Sequence, residues 1–150
     1  MTTVCIVGKQ DMDLRFELLS RETAREALAT YEISVPWENT ITVETVSLGG
    51  AVSLLNDLNW YLVRFAERAF VKEPSISAEE WLSRDLATKV RDNEISSEKT
   101  GNALAVYGVS EGELVEPMYV TRREGEIPEY DLRDVEETVV VRVAEGEFGG

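Results

Sequence analysis

A chain of 150 residues, 43% hydrophobic and 8% aromatic, can bury a core without staples and is too apolar for disorder. Its 29 Asp and Glu against 15 Lys and Arg leave a net charge of −14, which supplies none of the basic surface that nucleic acid requires. The absence of histidine removes the Ser-His and Cys-His nucleophile systems and every His-containing zinc site, and a single cysteine, Cys5, rules out an internal disulfide.

Residues 3–8 form a continuous apolar run that predicts a short strand covered on both faces, with Cys5 as a small buried hydrophobe. Asp11 and Asp13 then supply cap and first-turn carboxylates for a helix running to about Tyr31. Phe16, Ser20, Ala24, Ala27, Leu28 and Tyr31 share one sector of that helix, its expected buried side. Thr40 to Val46 alternates β-branched residues and predicts a second strand.

Gly49-Gly50 opens a second helix expected to reach about Val71 and to stop before Pro74. Ala51, Leu55, Leu58, Leu62, Phe65 and Ala69 keep its 3.6-residue spacing, and Val52, Val63, Ala66 and Phe70 widen the stripe. Ser77-Ala78-Glu79-Glu80 has the form of a capping box, with Ile76 and Trp81 as a hydrophobic staple, and predicts a third helix. After a polar break at 92–102, Ala103–Val109 and Glu113–Arg122 flank the turn Ser110-Glu111-Gly112 as a hairpin. Pro117 removes a ladder donor and places the second hairpin strand at an edge or a bulge. An acidic loop follows, with one helical turn expected at Asp131-Leu132-Arg133-Asp134, and Thr138–Val143 closes the series as a central strand. The expectation is an α+β fold in the order βαβααβββ, a mixed sheet of about five strands with helices packed on it, forming a single domain over residues 1–150.

The segments Asp13–Ala24, Leu54–Arg64 and Tyr130–Glu136, with an acidic surface whose cations are 11 Arg and only 4 Lys, resemble a family of small haloarchaeal proteins classed only as a domain of unknown function. The resemblance covers most of the chain and implies a halophilic archaeal cytoplasm; it carries no activity, cofactor or catalytic residue. The composition points the same way, because carboxylates at this density repel one another unless salt screens them. A cytoplasmic location is also expected from a start without a signal-peptide pattern. No membrane span is expected, since the apolar segment 51–70 is interrupted by Asn56, Asp57, Asn59, Arg64, Glu67 and Arg68.

Asn59 falls on the expected buried side of its helix, where its amide needs either a neighbouring backbone edge or a ligand. Trp60 falls on the opposite face with Asn56, Asp57, Arg64 and Glu67 around it. It is either covered by the fold, with Arg64 stacked on its ring, or an exposed aromatic beside an arginine, the pairing favoured in interface hot spots. Asn56, Asn59, Trp60 and Arg64 are therefore the candidate partner or ligand contacts; no catalytic residue, metal ligand or cofactor is assigned. Gly8-Lys9 lacks the rest of a phosphate loop. Asp11, Asp13 and Glu17, or Asp131 and Asp134, are the acids closest to a hard-cation arrangement, although capping already accounts for the first set. The terminal Gly149-Gly150 resembles a conjugation tail, but the helix-rich order does not match a β-grasp fold, and fraying explains it.

The preferred expectation is a non-enzymatic interaction or regulatory module, a protein partner or self-association meeting the Trp60/Arg64 face or a sheet edge. Two alternatives stay open. One is an enzyme built from carboxylates and arginines, with or without a metal. The other is a nucleic-acid factor, for which Arg122-Arg123 and the Arg21/Arg25 pair are the local support.

Overall fold

Twelve regular elements follow one another along the chain in the computed structural model, which describes residues 1–127 and 135–148. They are β1 (Thr2–Gly8), α1 (Leu14–Leu19), α2 (Glu22–Leu28), β2 (Thr40–Thr45), α3 (Leu48–Asp57), α4 (Asn59–Phe65), β3 (Ala66–Lys72), β4 (Trp81–Ser83), α5 (Arg84–Arg91), β5 (Ala103–Ser110), β6 (Glu113–Thr121) and β7 (Glu137–Val143). The helical turn expected at 131–134 and the terminal Gly149-Gly150 lie outside the described residues.

The α+β expectation holds, but the sheet has seven strands rather than about five, in the order β2-β1-β3-β4-β7-β5-β6. All neighbouring pairs are antiparallel except β4 with β7. The apolar runs at 2–8 and 137–143 take interior positions, as their near-continuous hydrophobicity requires. The β5–β6 hairpin turns through Glu111 at φ 54° and Gly112 at φ 75°, the two left-handed positions of a type I′ turn. Pro117 sits on β6, an edge strand, close to a register shift between Tyr107 and Val109.

The two added strands correct the sequence reading. Residues 66–72 continue the helical stripe on paper, yet they form β3 and pair with β1 through Ile6–Ala69, Cys5–Phe70 and Val4–Val71. The backbone of a buried central strand must find partners on both sides, and that demand outweighs local helical spacing. The second expected helix is thus cut short. It starts one residue before the glycines, with Ser47 accepting the Gly50 N–H at 3.0 Å, and breaks again at Leu58.

The helix expected from 11 to 31 is also two pieces. Asp13 caps α1 by accepting the Phe16 N–H at 3.1 Å, but Arg21 is extended at φ −106° and ψ 123°. This break resets the helical phase, so Leu14, Leu18, Ala24 and Leu28 are buried while Phe16, expected inside, is 65% exposed.

Ser77 does accept the Glu80 N–H at 3.0 Å and the Glu79 N–H at 3.3 Å, but no helix follows. Trp81–Ser83 is β4, and the helix begins at Arg84, capped by Ser83, which accepts the Leu86 N–H at 3.1 Å. The Glu80 carboxylate, expected to complete the capping box, instead accepts from Arg122 and from Arg142 Nε at 2.7 Å. Two guanidinium partners on β7 and beside β6 outcompete one backbone amide.

All five helices pack on one face of the sheet, over Val4, Ile6, Ile41, Val43, Val71 and Leu82. The other face is lined by Cys5, Phe70, Trp81, Tyr107 and Val141 and carries none of these five helices. It is shielded because the sheet curls until its ends meet: Glu38, just before β2, donates its N–H to Gly112 O at 2.8 Å, and Trp37 Nε1 donates to Glu137 at 3.0 Å.

Candidate functional site

Helix α4 begins directly after the break at Leu58, and that break sets which side chains face solvent. Leu58, Leu62 and Phe65 enter the core, leaving Asn59, Trp60, Val63 and Arg64 on the outward arc. Asn59 is therefore exposed, not buried as its place in one uninterrupted helix implied. Val63, expected in the apolar stripe, is 63% exposed for the same reason.

Trp60 is not covered by the fold, although Arg64 is stacked on its ring. It is 56% exposed, and the Arg64 guanidinium lies 3.5 Å from its ring centroid while donating to Trp60 O at 2.6 Å. Tyr61 meets the same indole edge-on at 5.1 Å. At the end of α4, Lys9 Nζ donates to Val63 O at 2.9 Å. Neither Arg64 nor Lys9 has a carboxylate partner among the described residues, a notable condition in a chain with 29 acids.

Asn56 does not join this face. It lies in the last turn of α3 and accepts from Arg84 Nη2 at 3.2 Å, at the rim of a cleft of about 680 Å³. The cleft exists because β4 is only three residues long. Beyond Ser83 no strand among the described residues separates β3 from the exit of β7, and the curled sheet is open at that end. Its floor is Phe70, Tyr107 and Val141, its sides Arg68 and Tyr119, and its rim Arg84, Asp85 and Glu147. Arg68 lies 5.2 Å from the Tyr107 ring centroid and 3.3 Å from Glu116. Burial pushes the Tyr107 phenol up to about 12 against the pull of Arg68. Burial likewise lowers the Arg84 guanidinium from its ordinary value.

Four of these residues, Arg68, Arg84, Tyr107 and Tyr119, were not singled out from sequence. They lie on four elements between residues 66 and 121, so no spacing pattern joins them. The one local signal was Ser83-Arg84-Asp85, a cap and first helical turn that places Arg84 at a strand-to-helix junction.

Other candidates are engaged within the fold. Arg122 binds Glu80 and donates to Gly101 O at 2.8 Å, Arg21 pairs with Glu17 at 2.8 Å, and Arg25 donates to Leu19 O at 3.4 Å. Among the described residues no three acidic or thiol groups are placed to hold a metal ion, and the pair Asp131 and Asp134 lies outside them. Burial pushes the Cys5 thiol up to about 12, with Lys72 opposing the shift. No described helix is long and apolar enough to cross a membrane.

A family model described as "Family of unknown function (DUF5804)" matches residues 2–109, from β1 nearly to the end of β5. No curated protein and no solved structure matches the chain.

Proposed function

The chain belongs to this family of unknown function, and because membership carries no activity we propose from the geometry that the protein is a non-enzymatic interaction module docking a protein partner on the outward face of α4. The observation that carries the reading is the Trp60–Arg64 pair. An exposed indole already stacked by a guanidinium has lost much of the rotamer freedom that binding would otherwise remove, the preorganised form of a hot spot.

Charge selects the partner's chemistry. Arg64 and Lys9 are cations without carboxylate partners among the described residues of a strongly acidic protein, which favours an acidic segment with an apolar anchor for Trp60 and Val63. A second copy meeting this face across a two-fold axis would bring like cations together. The edge strand β6 is the weaker candidate, because Glu113, Glu116 and Pro117 blunt it against strand addition. A nucleic-acid surface is the less favoured reading, because Arg122, Arg21 and Arg25 already bond to groups of the chain itself.

The acid surplus fits a salt-rich cytoplasm as part of the same reading, so the melting temperature should climb as KCl is raised towards molar concentration. The interaction is tested by affinity capture with crosslinking in the protein's native salt, using wild type, Trp60→Ala and the surface control Val46→Ala. A stoichiometric acidic partner crosslinked at α4, kept by Val46→Ala and weakened by roughly 30-fold or more in Trp60→Ala, supports the module. No partner, or one that Trp60→Ala retains, overturns it.

A further inference from the structure

The cleft at the open end of the curled sheet touches the α4 face only at its margin and has chemistry of its own. We propose that it binds a small organic anion, a carboxylate or phosphate monoester carrying a planar apolar group, with Arg84 and Arg68 as its charge partners and Tyr107 and Tyr119 against its apolar part.

Arg84 is the centre of the argument. It is half-buried and makes two hydrogen bonds, both from Nη2 and both to neutral acceptors, Leu55 O and Asn56 Oδ1, each at 3.2 Å. Its Nε and Nη1 have no acceptor among the described residues. A guanidinium drawn partly out of water without a counter-charge is costly, and a carboxylate or phosphate would supply that charge through the bonds Arg makes best. This occurs in a chain where acids outnumber bases almost two to one.

The acids that line the same cleft have no comparable demand. Asp85 faces Lys89 at 3.6 Å, Glu67 is half-exposed to water with Arg68 4.0 Å away, and Glu147 accepts from Ser83 at 2.6 Å and from the Ala144 N–H at 2.8 Å. The site therefore favours an anion over a cation. Arg68 can serve as the second charge because its two carboxylate partners, Glu116 at 3.3 Å and Glu67 at 4.0 Å, are 82% and 46% exposed and hold it only through solvent-screened pairs. The floor of Phe70 and Tyr107 is apolar, with rings 5.2 Å apart, and Tyr119 opposes it from the hairpin. A volume of about 680 Å³ suits a small molecule rather than a polypeptide.

Amide NMR titration at fixed ionic strength tests this with inorganic phosphate, phenyl phosphate, benzoate and neutral benzyl alcohol. Phenyl phosphate and benzoate should give saturable shifts at Ser83, Arg84 and Gly146, and phenyl phosphate should bind more tightly than inorganic phosphate. Arg84→Gln and Arg68→Gln should each weaken the aromatic anions about tenfold, while Arg15→Gln, exposed on α1 and outside the cleft, should not. If Arg84→Gln does not fold, Arg68→Gln decides. No saturable shifts in the wild type, undiminished affinity in the folded cleft variants, or equal binding of benzyl alcohol overturns the assignment. Because Trp60→Ala leaves the cleft intact, failure of the partner reading and failure of this one are separable.

Discussion

The Asn39 carboxamide lies so close to the Cα of Gly8 that a Cβ there would come within 2.6 Å of Asn39 Nδ2. Asn39 ties three segments together: its side-chain Oδ1 accepts the Leu14 N–H at 2.8 Å, Nδ2 donates to Lys9 O at 2.9 Å, and its backbone carbonyl accepts the Gly8 N–H at 2.8 Å. Gly8 is thus required by Asn39, and the glycine before Lys9 has a structural role where the sequence suggested a fragment of a phosphate loop. Gly8→Ala should cost about 1–3 kcal/mol in urea unfolding, because the clash is with a side chain held by two hydrogen bonds. Wild-type stability in that variant would show that the amide moves aside freely.

Ser83 and Ser77 offer a direct comparison. Ser83 caps α5 and donates to Glu147 at 2.6 Å, so Ser83→Ala should cost about 1–2 kcal/mol. Ser77 accepts two amides in a turn that no helix follows, and Ser77→Ala should change stability by less than about 0.5 kcal/mol. Chemical denaturation of both variants checks the order, and a larger loss at Ser77 would restore the helix start read from the sequence.

Glu80 links stability to pH. Burial opposes its ionisation, but hydrogen bonds from Arg122 and Arg142 outweigh that and hold its carboxyl below the ordinary range. A carboxyl depressed in the folded state stabilises fully above its unfolded value, about 4.3, and loses that contribution as pH falls towards the folded one. Glu80→Gln should therefore destabilise at neutral pH, by up to roughly 3 kcal/mol, as two guanidiniums lose their counter-charge. The gap to wild type should narrow below about pH 4. Melting curves from pH 3 to pH 7 measure it, and a gap independent of pH would assign the loss to packing instead.

Cys5 should be inert in the folded protein. Its side chain is fully buried in the middle of β1 and burial pushes the thiol up to about 12, so almost no thiolate exists near neutrality. Iodoacetamide at pH 8 should label it only after unfolding, as intact-mass measurement will show. Rapid labelling of the native protein would mean that β1 opens.

The legible parts of the fold are those where local chemistry suffices. The runs at β1 and β7, the alternation at β2 and the Glu111-Gly112 turn each specify their conformation within a few residues. Arg64 stacked on Trp60 was legible for the same reason, since i and i+4 are neighbours on any helix. Asn59 was misplaced because one break, at Leu58, rotates everything after it, and the segment around 58 carries no proline or glycine to announce it.

The sequence by itself determined an acidic α+β chain without histidine, an apolar first strand, a hairpin turning at Glu111-Gly112 and an aromatic–arginine pair on a helix. Only the tertiary structure decided that residues 66–72 and 81–83 are strands, that Glu80 serves two arginines and not a helix, and that Arg68 and Arg84 face one cleft. The physical reason is common to all of these. Local spacing sets what a segment can do alone, whereas a buried backbone or a half-buried charge is settled by partners dozens of residues away.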